Sequence, residues 1–166
     1  MGSSIDYIAE IGWQKYIGDG YYSFGYIYSY KRAGDILVEQ LEPDALIYPI
    51  MFCYRQYLEL LLKNIYMSNK SEEDYRKYIK KVSHNIIKSW KYINPILSSQ
   101  IETKNLNFIE KVLNAFNKLD SSSIVFRYEY DKEMNRNIDD KRINIKKVKN
   151  DIEKIDQILG YTYNNG

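Results

Sequence analysis

The chain has 166 residues, of which 45% are hydrophobic and 28% are charged, so we expect one globular domain. No apolar run approaches the roughly 20 residues that span a bilayer. Cys53 is the only cysteine, which excludes an intrachain disulfide and a cysteine-based zinc site. The start, Met1 to Asp6, lacks the charged and apolar parts of a secretory signal. We therefore expect a cytoplasmic protein with no membrane partner.

The formal net charge of +2 hides an uneven distribution along the chain. Residues 1–62 hold eight acids and four bases, whereas residues 63–166 hold twenty bases and fourteen acids. A basic later part favours an anionic partner such as a nucleic acid, since phosphate binding depends on such charge. The same composition is also typical of lysine-rich helices with solvated faces, so both interpretations stay open.

The first part of the chain predicts an arm followed by two helices. Residues 1–22 show no clean period and are interpreted as a short helix or an irregular arm. Residues 23–41 predict a helix packed closely against a neighbour, ended by Pro43, and Asp44 is a candidate N-cap for the next helix. That next helix, residues 45–67, is apolar nearly all round, which is typical of a helix at the centre of a bundle.

The remainder predicts further helices and one short β element. Apolar periodicity predicts a helix over residues 71–94, with a bend or restart near Ser83, another over 103–119 and a last one over 145–159, stopped by Gly160. Residues 124–130 alternate and predict a strand, with residues 142–144 as its partner. The expected fold is mainly α, a four- to five-helix bundle with a small β-hairpin near residues 124–144, in one domain over residues 1–166.

The central helix carries one polar stripe. Arg55, Glu59 and Lys63 recur every four residues and therefore share a helical face. If this face points inward, the charges must be paired or serve a site, because desolvating them otherwise costs several kcal/mol. If it points to water, it is only the exposed edge of the helix. The spacing fits both.

His84 is the only histidine, so any imidazole acid–base chemistry must use it. Lys88 follows one turn later on the same face, although a lone histidine is also common as a packing or helix-start residue. One histidine and one cysteine predict no transition-metal site. The sequence contains no phosphate-binding loop, dinucleotide turn or nucleophile elbow, so we predict no cofactor. Arg127, between Phe126 and Tyr128, is interpreted as a partner in a structural ion pair.

Two segments resemble a bacterial group of HEPN-like helical domains: YPIMFCYRQYLELLLK over residues 48–63 and HNIIKSW over residues 84–90. The similarity extends more weakly from Tyr26 to Leu159 and includes Phe126-Arg127-Tyr128. It implies a bundle of four or five helices, frequent dimerisation, and a role in toxin–antitoxin or antiviral defence systems. Many members of that superfamily are metal-independent endoribonucleases.

Active members carry an arginine, then four to six residues, then a histidine, whereas seven residues separate Arg76 from His84 in this chain. The resemblance therefore implies a non-catalytic module, expected as a homodimer, that binds RNA, a nucleotide or a protein partner. The candidate binding residues are Glu59, Lys63, Asn85, Lys88 and Arg127. The alternative is a metal-independent ribonuclease, with His84 as acid or base and Arg55 or Arg76 as the phosphate ligand. An unrelated helical protein is the third possibility.

Overall fold

The computed structural model describes residues 9–11, 22–40, 42–137 and 141–163. Most of the predicted arm, residues 1–22, lies outside this part. The described residues form six helices: α1 (Tyr22–Glu39), α2 (Pro43–Asn69), α3 (Glu72–Val82), α4 (Ile86–Leu97), α5 (Thr103–Leu119) and α6 (Ile145–Tyr163). The mainly α prediction is confirmed. None of these helices combines the length and the apolar character that crossing a bilayer requires.

Helix α2 is the centre of the bundle and packs against α1, α3, α4 and α6. Its side chains are buried on several sides, as its apolar sequence predicts; Tyr54 and Tyr57 are fully buried. The contact with α1 is close, because a Cβ atom on Gly34 would lie 2.7 Å from a ring carbon of Tyr54. The hydroxyl of Tyr54 donates to Asp35 Oδ1 at 2.9 Å, which fixes the ring against α1. A bulkier residue at position 34 would separate the two helices.

The predicted helix over residues 71–94 is divided, and the division makes six helices instead of four or five. Ser83 has a φ of 49°, which a continuing right-handed helix does not allow. Asn85 then starts α4 as its N-cap, with its side-chain oxygen accepting from the Lys88 backbone N–H at 2.8 Å. The expected restart near Ser83 is confirmed. Residues 83–85, between α3 and α4, are called the α3–α4 break below.

The predicted β-hairpin near residues 124–144 is wrong for the residues that the structure describes. Residues 124–128 form a helical turn, in which the N–H of Tyr128 donates to the carbonyl of Ile124 at 3.1 Å. Of the three alternating aromatic residues Phe126, Tyr128 and Tyr130, the last two are 57% and 41% exposed and Phe126 alone is buried, so the segment does not have the buried face of a strand. The only β pairing here is one antiparallel bridge between Tyr130 and Arg136.

Two helix ends also differ from the prediction. Helix α2 begins at Pro43, which needs no hydrogen-bonded amide there, and Glu42 is the N-cap. Asp44 therefore lies in the first turn and does not cap the helix. Helix α6 continues through Gly160 to Tyr163, so Gly160 does not stop it.

Candidate functional site at the α3–α4 break

The polar stripe of α2 points inward, and Arg55 is its most deeply buried member. The residue is 0% exposed. Its Nη1 lies 3.1 Å from Glu59 Oε2, and its Nε donates to the backbone carbonyl of Asp120 at 3.3 Å. Its Nη2 donates to the backbone carbonyl of His84. One guanidinium therefore joins α2 to the α3–α4 break and to the chain that follows α5.

Glu59 is the acceptor that organises the rest of the cluster. Its carboxylate is 5% exposed, and Oε1 lies 2.6 Å from Lys63 Nζ and 2.9 Å from His84 Nδ1. Burial on its own would raise the pKa of Glu59. The hydrogen bond and charge of Lys63, the charge of Arg55 and the His84 bond outweigh burial, and the pKa falls below its ordinary value. Glu59 is therefore a carboxylate that serves three donors.

His84 differs from the other members because its side chain is 58% exposed. An ionised carboxylate can only accept hydrogen bonds, so Nδ1 carries the proton in its contact with Glu59. The second ring nitrogen, Nε2, then holds the free lone pair in the neutral imidazole. No described residue hydrogen-bonds to Nε2. A buried acid thus orients an imidazole whose reactive nitrogen is available to a ligand.

Arg55 is not accessible to a phosphate group of an external ligand. Burial lowers the pKa of Arg55, and the charges of Glu59 and Asp120 act in the opposite direction. The side chain is fully covered, and each of its three nitrogens donates to an internal acceptor. Arg55 therefore holds the backbone of His84 in place. Its own side chain lies beneath the surface that a ligand would meet.

Arg76 is not brought to His84 either. Its side chain is 73% exposed and pairs with Glu72, four residues nearer the start of α3. At about 1.5 Å per residue, the Cα of Arg76 lies about 9 Å before the end of that helix. The guanidinium thus points away from the α3–α4 break.

The other predicted residues divide between this cluster and the remainder of the surface. Lys63 is largely buried and bonds Glu59. Asn85 caps α4, and Lys88 is exposed one turn after His84. Arg127 makes no ion pair within the described ranges, so the expected ion pair is not seen among these residues. Its Nε donates to the Ser123 carbonyl at 2.7 Å, a backbone acceptor in the place of an acid.

Sequence reasoning missed Asp120 and Ser123, which lie between the predicted helix over residues 103–119 and the predicted strand over residues 124–130. Asp120 is 1% exposed, and its Oδ1 accepts from the Ile124 N–H at 2.9 Å. Its Oδ2 has no hydrogen-bond partner among the described residues. Ser123 is fully buried with a φ of 63°, and its hydroxyl accepts from Gln56 Nε2 at 2.8 Å. An acid followed by three serines is typical of exposed turns, so the sequence carried no sign of this burial.

Exposed lysines lie on both sides of the α3–α4 break along the chain. Lys80 and Lys81 belong to the last turn of α3, and Lys88 and Lys91 lie on α4. Their charges and the exposed ring of His84 are able to meet an anionic ligand. The described residues contain no group of three His, Cys, Asp or Glu side chains that could hold a metal ion.

Comparison of the chain with protein-family models, with curated proteins and with solved structures found no match. The resemblance to HEPN-like domains therefore stays a prediction. Function has to be inferred from the geometry around His84.

Proposed function

We propose that this chain is a HEPN-like module that binds RNA at the surface around His84, within a bacterial defence or toxin–antitoxin system. One observation carries the proposal: an exposed imidazole is held by a buried carboxylate and has exposed lysines before and after it in the sequence, while the arginine of the same cluster is buried. Such a surface can contact phosphates and bases without placing an arginine at a reacting phosphate.

Charge and ring geometry support RNA in particular. Lysines at the end of α3 and along α4 can neutralise successive phosphates, which gives affinity that falls as salt concentration rises. An imidazole ring held at Nδ1 can stack on an unpaired base or hydrogen-bond to it through Nε2. Both features favour a single-stranded segment over a regular duplex.

The test is a titration of fluorescently labelled single-stranded RNA with the protein, in which fluorescence anisotropy reports binding at several salt concentrations. Lys88→Ala removes one phosphate contact and should lower the salt slope by about 0.7. His84→Ala should weaken binding by about five- to 150-fold, since base–aromatic contacts contribute about 1–3 kcal/mol. Lys147→Ala is the matched control, because it removes an exposed lysine from a different helix. Lys147 lies on α6, which packs against α1, α2 and α5.

Equal losses in all three variants would mean diffuse charge attraction and would contradict a site at His84. An absence of RNA binding, combined with capture of a protein partner that depends on His84, would replace RNA by protein as the ligand.

The second candidate function is a metal-independent endoribonuclease, and the Glu59–His84 hydrogen bond favours it. An oriented imidazole can take the proton of a ribose 2′-hydroxyl at Nε2 while the oxygen attacks the adjacent phosphorus. The bond from phosphorus to the 5′ oxygen then breaks, and the leaving oxygen takes up a proton. In a homodimer, His84 of a second copy would supply that proton, and Lys88 would stabilise the charged phosphate.

Cleavage of RNA in the presence of EDTA tests this candidate. The enzyme predicts cleavage that His84→Ala abolishes and that leaves cyclic phosphate ends. Glu59→Gln should lower the rate, because an amide orients the ring less strongly. Cleavage that EDTA stops, or that His84→Ala retains, would contradict the enzyme while leaving the RNA-binding proposal untouched.

A further inference from the structure

A cavity that His84 does not line lies where the first turns of α2 meet the loop after α5. Its volume is about 320 Å³, and it is lined by Tyr48, Val125, Phe126, Arg127, Tyr128, Glu129 and Arg136. This size is within the usual range for small-molecule sites. Two arginines, two tyrosines and one acid give it a cationic and aromatic character. We call it the two-arginine pocket.

The first arginine is fixed by the bundle core. The Nε of Arg127 donates to the Ser123 carbonyl, and Ser123 is in turn held by Gln56 of α2. The guanidinium lies 5.4 Å from the ring centre of Tyr128 and 5.9 Å from that of Phe52. The Nη groups of Arg127 make no ion pair within the described residues. They are therefore available to an anion in the pocket.

The backbone of the second arginine, Arg136, is fixed by a separate set of hydrogen bonds. Asp131 Oδ1 accepts from the N–H of Asn135 at 2.8 Å, which closes a tight turn. The backbone of Arg136 then pairs with Tyr130, and the N–H of Asn137 donates to the Glu129 carbonyl at 3.0 Å. Both arginines are thus presented by ordered backbone, which lowers the entropy lost when a ligand binds.

The aromatic part of the lining is open to a ligand. The rings belong to Tyr48 and Tyr128, which are 48% and 57% exposed. Exposed tyrosines beside arginines suit a planar ring, because a ring can stack on tyrosine or guanidinium faces. Arginine forks match phosphate oxygens in geometry as well as charge.

From this arrangement we infer that the two-arginine pocket binds a small phosphate monoester that carries a planar ring. Arg127 and Arg136 hold the phosphate, and Tyr48 with Tyr128 contact the ring. The site does not include His84 and does not rest on the proposed RNA binding.

Calorimetric titration of the whole chain tests the site with phenyl phosphate, uridine monophosphate, inorganic phosphate and benzyl alcohol as probes. One or both aromatic phosphates should bind at least about tenfold more tightly than inorganic phosphate or benzyl alcohol, because only they use both parts of the lining. The tighter of the two indicates whether the natural ligand is an aryl or a nucleoside phosphate.

Three variants locate the binding. Arg127→Gln and Arg136→Gln should each weaken it about tenfold or more, since each removes charge-assisted hydrogen bonds. Lys132→Gln is the matched control, because Lys132 is exposed in the same loop but does not line the pocket. His84→Ala should bind the probe as the unmodified chain does, which separates this site from the proposed RNA surface.

Several results would overturn the inference: no heat of binding with either aromatic phosphate at millimolar concentration, inorganic phosphate binding as tightly as both, or Lys132→Gln losing as much affinity as the arginine variants. A circular dichroism spectrum identical to that of the unmodified chain shows that each variant is folded before it is titrated.

Discussion

Arg55 and Arg76 each pair with a glutamate four residues away on the same helix, yet only the Arg55–Glu59 pair is removed from water. The exposed pair is screened by solvent and contributes little. Replacing only one residue of the buried pair is strongly destabilising, because its partner is left with a charge that is less well compensated. Burial therefore decides what each arginine does for stability.

The first prediction compares these two arginines. Arg55→Met should lower the free energy of unfolding by about 3–5 kcal/mol, since Glu59 loses a counter-charge and two carbonyls lose a donor. Arg76→Met should change it by less than about 1 kcal/mol. Urea unfolding followed by circular dichroism measures both. Similar losses in the two variants would mean that Arg55 is not clamped in the core.

The second prediction concerns acid stability. The folded-state pKa of Glu59 lies below its ordinary value of 4.5, so its contribution to stability is present above 4.5 and is lost as pH falls through the lower, folded value. The free energy of unfolding should therefore decline below about pH 4.5, and Glu59→Gln should flatten that decline. Glu72→Gln, at a 78% exposed carboxylate, is the control and should leave the slope unchanged.

Spacing predicted that Arg55, Glu59 and Lys63 share a helical face. The structure shows that this face points inward with its charges paired, and that His84 contacts Glu59. Helical periodicity could not show that a single carboxylate serves three donors. It also could not reveal Asp120, because the burial of that residue depends on how the chain after α5 meets Arg55 of α2 and not on its neighbours in the sequence.

At the scale of elements, the α3–α4 break determines where His84 lies. Ser83 has φ and ψ of 49° and −113°, a conformation that side chains disfavour and glycine tolerates. The Arg55 bond to the His84 carbonyl and the Asn85 cap hold the chain in that conformation. The break is therefore maintained by its surroundings, at a local conformational cost.

The third prediction follows from that cost. Ser83→Gly should raise the free energy of unfolding by up to about 1 kcal/mol, because glycine adopts a positive φ without a Cβ clash. Ser98→Gly is the matched control at the end of α4, where φ is −63° and glycine brings no relief. Thermal unfolding of both variants measures the difference. A loss of stability in Ser83→Gly would show that the serine side chain outweighs the strain.

Prediction from sequence succeeded where helices carry an apolar stripe, and α5 begins and ends where its periodicity places it, at Thr103 and Leu119. It failed over residues 124–130, where alternation is also satisfied by a helical turn that buries Phe126 alone. A short segment with one anchoring side chain does not have enough apolar contacts for its periodicity to determine the backbone.

At the scale of the whole molecule, the bundle is arranged around α2, which has neighbours on most of its sides. Cys53 lies on this helix, is 9% exposed and has a pKa raised by burial. Burial therefore disfavours the thiolate form of Cys53 as long as α2 keeps its neighbours.

The fourth prediction uses that thiol as a reporter. In native buffer, Cys53 should react with a thiol reagent far more slowly than in denaturant, because both access and ionisation are suppressed. Ser98→Cys adds an exposed thiol and should show one fast and one slow reaction. Fast reaction of both thiols in native buffer would mean that α2 is not enclosed.

The carboxylate of Glu59 links residues from separate parts of the chain, and this has a consequence for how the protein can diverge. A substitution at position 59 removes the carboxylate that both Arg55 and Lys63 bind, and one at position 55 or 63 removes one of the two cations that Glu59 binds. In homologous chains that share this packing, we expect the three positions to vary as a group or to stay fixed. Packing constrains position 84 less, since the backbone carbonyl that accepts from Arg55 is present in every amino acid, so conservation of His84 would reflect the proposed site and not the fold.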